Sequence, residues 1–185
     1  MGDDMISFMK RNKIFTILIL FTILSFILGS FFYANLDPTN REVVSDNIHN
    51  LLNNHKPSFF SFFINHFFTN TFIWILGVSL IGILIIFLLY CFKVFIFSFE
   101  LSSFLSVLGI KDLFKIILYF IPDCVFLIST FILCFYSIQF SIYLFQFLFF
   151  HKNYSFHSIM NRYICIYGIS FIGLIISSIL EYFIL

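Results

Sequence analysis

The chain has 185 residues, of which 61% are hydrophobic and 10% charged, with a formal net charge of +1. Soluble domains run near half apolar and about a quarter charged, so a soluble globular enzyme and a disordered tail are excluded. A near-neutral chain has no electrostatic footprint for nucleic acid either.

With a mean hydropathy of +1.06, the sequence reads as one all-α, polytopic transmembrane helical bundle of about five spans. Alanine occurs once, at Ala34, so close helix contacts fall to Gly and Ser. Cys91, Cys124, Cys134 and Cys165 form no C-x-x-C pair and read as free thiols in apolar surroundings.

Lys10, Arg11 and Lys13 precede an apolar run over 14–34. About 20 apolar residues cross a bilayer as helix. Phe32-Tyr33-Ala34 is a poor match to an A-x-A-like cleavage site, so the run reads as an uncleaved first span rather than a signal peptide. Residues 35–71 form the one sizeable polar segment, expected outside the membrane with two amphipathic helices. Thr39 and Glu42 have the spacing of a capping box. Val44, Ile48, Leu51 and Leu52 recur at helical spacing, and Asn53, Asn54 and Pro57 close that helix. Ser58, Ser61, Asn65 and Thr69 are interleaved with Phe59, Phe60, Phe62, Phe63, Phe67 and Phe68. That pattern predicts a second helix lying in the membrane interface, with a partner-binding groove as the sharper alternative.

A second span is expected over 72–92, with Trp74 at its outer end and Lys93 marking its inner end. The third, over 94–108, is short, and its Ser98, Ser102 and Ser106 form a row suited to close packing. Gly109, Lys111 and Asp112 lie in a short outer loop over 109–115. The apolar stretch 113–150 is too long for one crossing, because at about 1.5 Å per residue it exceeds a hydrocarbon core of about 30 Å. Pro122 is expected to kink or break it. This gives a fourth span over 116–135, then an inner amphipathic segment and loop over 136–162 with Ser137, Gln139, Ser141 and Gln146. A half-helix up to Ile121 followed by a long span is the alternative. The last span covers 163–184, with Gly173 and Ser177 as a packing pair and Glu181 near its outer end.

Basic residues set the orientation. With the N-terminus inside, Lys10, Arg11, Lys13, Lys93, Lys152 and Arg162 are inner, against Arg41, Lys56, Lys111 and Lys115 outside. Five spans then leave the C-terminus outside.

Few residues could carry chemistry. Glu100 and Asp123 fall within apolar spans, where a carboxylate costs about 2.5–3.5 kcal/mol on insertion scales. They could form an ion or proton relay, or be buried carboxyls satisfied locally. The expected sequence offers no mid-span positive charge to pair with either. Glu42 and Asp46 share a helix face, but a short loop can hardly build the sugar cleft that paired-carboxylate chemistry needs, so a solvated face is the better reading. His49, His55 and His66 lack the spacing of a ligand pair. No nucleophile elbow, P-loop or zinc motif occurs. No catalytic residue, metal or cofactor is therefore expected.

The stretch Trp74-Ile75-Leu76-Gly77-Val78-Ser79-Leu80-Ile81-Gly82 resembles the W-x-L-G-x-S-x-x-G opening of the stage II sporulation protein M family of endospore-forming bacteria. Lys93, Leu108-Gly109, Pro122, residues 137–141, Arg162-Tyr163 and residues 177–182 follow in the family's order. The chain departs from it at Val94 and Ser98, where glycines are usual, and at apolar Leu127. The resemblance implies a multi-pass membrane scaffold in engulfment of the forespore. Such a scaffold anchors and localises wall-degrading partners, the stage II proteins D and P, at the septal or engulfing membrane. It implies contact with membrane lipid, none with nucleic acid, and leaves homo-oligomers open. Trp74, Gly77, Gly82, Glu100, Pro122 and Asp123 are the packing or partner candidates. A small permease-like or transport-accessory protein using Glu100 and Asp123 is the rival.

Overall fold

A computed structural model describes residues 13–54, 59–150 and 156–184. Lys10, Arg11, His55, Lys56, Pro57, Ser58, His151 and Lys152 lie outside the described residues, as does the Ser61 side chain. The described residues form helices α1 (Lys13–Ala34), α2 (Pro38–Asn54), α3 (Phe59–Leu76), α4 (Gly82–Leu108), α5 (Leu113–Phe150) and α6 (Phe156–Ile184), and a 3-10 turn at Ile110–Asp112. No strand occurs among them. Four apolar segments are long enough to cross a membrane: Lys13–Ala34, Gly82–Leu108, Ile110–Phe149 and His157–Ile184.

The bilayer is the solvent the surface is built for. Leu20, Leu24, Ile27 and Phe31 are exposed along α1, and Ile169, Ile172 and Ile176 along α6. The polar residues turn inward instead: Ser98, Thr130, Ser137 and Ser177 are fully buried. Lipid offers no hydrogen bonds, so hydroxyls and amides find partners between helices.

Pairs of contacts fix the helix directions. On α1 and α4 the partners rise together: Phe21 meets Phe87, Ser30 meets Ser98 and Tyr33 meets Phe99. These two helices are parallel. On α3 and α6 they run oppositely: Phe67 meets Phe171, Asn70 meets Ser170 and Trp74 meets Tyr163. Helix α5 is antiparallel to α6, with Ser137 on Tyr163 and Ser177 on Pro122. Five helices therefore traverse the bundle in alternating directions, and α3 returns the chain between the parallel α1 and α4.

Several boundaries differ from the sequence reading. The expected span 72–92 is cut by a turn over 77–81, so its first part ends α3 and the rest starts α4. Gly77, Ser79 and Gly82 supply weak helix formers there, and the Gly82 N–H donates to Ser79 Oγ at 2.9 Å. No separate third span exists over 94–108, because α4 runs unbroken through Lys93. The stretch 58–69 does not form a helix of its own. Its described part belongs to α3, which packs among α4, α5 and α6. Trp74 lies at the α3 end beside the 77–81 turn, the end of the bundle where α1 begins, whereas the sequence reading placed it at the end where α1 finishes. Helix α5 passes through Pro122 without a break, so 116–135 and the start of 136–162 are one helix. Proline removes one N–H bond of the ladder, and packing against α6 keeps the helix continuous. Helix α2 starts at Pro38, a favoured first position, with the Arg41 N–H donating to the Asp37 carbonyl at 3.0 Å. Thr39 therefore sits inside the helix and is not its cap.

Asn70 ties three helices together. It is 2% exposed, its Nδ2 donates to Ser170 Oγ at 3.2 Å and its Oδ1 accepts from Thr130 Oγ1 at 3.1 Å. Replacing Asn70 by Leu should lower the unfolding free energy in detergent by about 0.6–1.7 kcal/mol, the mean and the maximum measured for such bonds in a membrane protein. An unchanged denaturation midpoint would show that this amide does not join the helices.

Candidate functional site

A cavity of about 440 Å³ lies between α3, α4, α5 and α6, with α2 over one side. Its ionisable lining comes from four helices: His66 on α3, Lys93 and Glu100 on α4, Asp123 on α5 and Glu181 on α6. Lys93 and Glu100 are seven residues apart, two turns on one face, so the polar lining runs about 10 Å along α4. Asp123 follows Pro122, which also lines the cavity. Phe62, Phe97, Phe104, Tyr119 and Phe126 form apolar walls.

The charges are held apart from one another. Among the described residues, no hydrogen bond or ion pair joins Lys93, Glu100, Asp123 or Glu181 to another side chain, and the one ion pair is Lys115 to Asp112 at 2.9 Å. His66 is wedged by rings, with Phe62 at 4.0 Å and Phe126 at 3.8 Å between centroids. Its Nδ1 and the Oε2 of Glu181 are shielded from solvent and have no hydrogen-bond partner among the described residues.

The sequence candidates fall into two places. Glu100, Pro122 and Asp123 meet in this cavity. Trp74, Gly77 and Gly82 lie at the other end of α3. There the Tyr163 hydroxyl donates to the Trp74 carbonyl at 2.6 Å and its ring stacks on the indole. Sequence reasoning missed His66, Lys93 and Glu181. It put Lys93 at a membrane edge and found no positive charge mid-span, whereas Lys93 lies inside α4. The seven-residue spacing of Lys93 and Glu100 was the signal that could have joined them.

The small-residue row is used in part. Ser98 is buried against α1, where its Oγ donates to the Phe26 carbonyl at 2.5 Å, while Ser106 is exposed. Gly29, opposite, lets the backbones touch: a Cβ there would lie 2.4 Å from the Phe95 carbonyl oxygen. Glu42, Asp46 and His49 are exposed on α2. No group of three or more His, Cys, Asp or Glu among the described residues could hold a metal ion. Cys134 is buried, and Cys124 and Cys165 are exposed.

Fold and cavity together define a polytopic helical bundle whose intrahelical ionisable groups line one cavity open to the surface. The chain belongs to the stage II sporulation protein M family, whose sequence profile matches residues 17–184. It is thus a sporulation-related membrane protein. No curated protein and no solved structure matches it.

Proposed function

We propose that the chain is a non-enzymatic scaffold of the engulfment machinery in endospore formation. It anchors and localises peptidoglycan-degrading partners similar to the stage II proteins D and P at the septal or engulfing membrane. The N-terminus faces the cytoplasm and the C-terminus the opposite side. The observation that carries this reading is α2. Ile48 is 4% exposed and packs with Phe104, Ile116 and Phe120, seating α2 on the bundle. Val44, Ile48 and Leu51 share the inward face, while Glu42, Asp46 and His49 form a stripe on the opposite one. That stripe stands at the end of the bundle away from the N-terminus, where wall enzymes work. In the phenylalanine-rich stretch of α3, Phe63 and Phe67 pack on Phe171 of α6 while Phe60 and Phe68 are exposed, so its deletion would remove packing against α6 along with an exposed apolar face.

Crosslinked affinity capture from sporulating cells tests the assignment. The wild type should bring down wall hydrolases with single membrane anchors. Reversing the stripe with Glu42→Lys and Asp46→Lys should cut that recovery about tenfold or more, with the variant still at normal abundance in the membrane. Undiminished recovery would remove α2 from the contact. The charged cavity favours a second reading, a permease-like or transport-accessory protein using Glu100 and Asp123. Capture of an ATPase or a solute-binding protein, with no wall enzyme, would establish that reading instead.

A further inference from the structure

We propose that the cavity between α3, α4, α5 and α6 binds an aliphatic amine carrying two or more ammonium groups. Its size, about 440 Å³, falls within the range of small-molecule sites. Three carboxyl side chains, Glu100, Asp123 and Glu181, face one lysine, Lys93. The formal excess is two negative charges, which selects a cation of more than one charge. A single metal ion is a poor fit, because no group of three such ligands among the described residues converges on one point. Carboxyls carried on three separate helices around one cavity match charges spread along a chain.

The walls suit the rest of such a molecule. Phe62, Phe97, Phe104 and Tyr119 line it and give apolar contact to methylene groups, and aromatic rings attract ammonium groups by cation–π interaction. Two polar atoms of the lining residues face no partner among the described residues, Glu181 Oε2 and His66 Nδ1, and both are shielded from solvent. Buried polar groups are nearly always hydrogen-bonded, and an N–H-rich ligand supplies the donors both can accept. Glu100 is exposed, and Val44, Ile48 and Leu51 of α2 border the same opening. The site stands on the cavity alone and does not depend on the scaffold role.

Calorimetric titration of the full chain in a non-ionic detergent, with spermidine as the probe, tests this. The expected result is saturable binding near one per chain, not displaced by magnesium chloride or sodium chloride at matched ionic strength. Glu100→Gln combined with Asp123→Asn should weaken it about tenfold or more, as expected on losing charge-assisted hydrogen bonds. The elution volume and helical circular dichroism should be unchanged. Should that pair fail to fold, Glu181→Gln alone should weaken binding in the same direction. Absence of saturable heat in the wild type would overturn the proposal. So would displacement by magnesium, or equal affinity in a folded neutralised variant.

Discussion

Gly77→Leu should abolish recovery of folded, monodisperse protein, and Gly77→Ala should lower its thermal midpoint by several degrees. A Cβ on residue 77 would lie 2.1 Å from the Tyr163 hydroxyl and 2.9 Å from Ser137 Cβ. Neither neighbour can give way. Tyr163 is 2% exposed, stacks on Phe140 at 4.1 Å with an interplanar angle of 4°, and hydrogen-bonds the Trp74 carbonyl and Ser137. Overpacking of this kind costs about 1–3 kcal/mol, and each lost hydrogen bond about 1 kcal/mol more. Against a total stability of about 5–15 kcal/mol, leucine removes a large share. Circular dichroism melts and size exclusion in detergent report both variants. The atom responsible is the hydroxyl, so Tyr163→Phe should recover part of the loss in Gly77→Ala. A Gly77→Leu protein that melts like the wild type would mean that α3 and α6 do not meet here.

The helical membrane class was legible because it follows from bulk hydropathy, and the first span because charge and polar residues flank it on both sides. Between Phe72 and Phe92 hydropathy carries no punctuation: a helix end at Leu76 and a helix start at Gly82 are both apolar. The turn shows only in Gly77, Ser79 and Gly82, and those same residues also read as a packing motif. The α3 misreading has a different cause. Interleaved polar and aromatic residues suggest an interfacial helix when water is the reference solvent. In the bundle the inward polar contact falls to Asn70, outside that pattern, which reaches Thr130 and Ser170, while Asn65 stays exposed, so the periodicity of the stretch does not show which face packs. Placing Lys93 at a membrane edge then followed from the wrong helix end. Glu100 and Asp123 were visible one at a time, but their meeting with Glu181 and His66 depends on helix directions that only long-range contacts reveal.

Those directions make the topology testable in an all-or-none way. In a chain with Cys91, Cys124, Cys134 and Cys165 replaced, single cysteines at Asn40, Leu80 and Ile110 should react with an impermeant maleimide from defined sides. Asn40 and Ile110 should label from one face of sealed membranes and Leu80 only from the other. The reason is geometric. Helices α1 and α4 are parallel, so a chain leaving α1 at one end of the bundle must enter α4 at the other. Helix α3, with 18 residues, reaches about 27 Å at 1.5 Å per residue. That is close to the hydrocarbon thickness of about 30 Å, and its buried amide and hydroxyls are satisfied by α5 and α6. Were α3 interfacial and 72–92 a span, Leu80 would sit within hydrocarbon and resist labelling from both sides. Labelling of Leu80 from the Asn40 side would instead break the parallel pairing of α1 with α4, and with it the route by which Lys93 reaches the cavity.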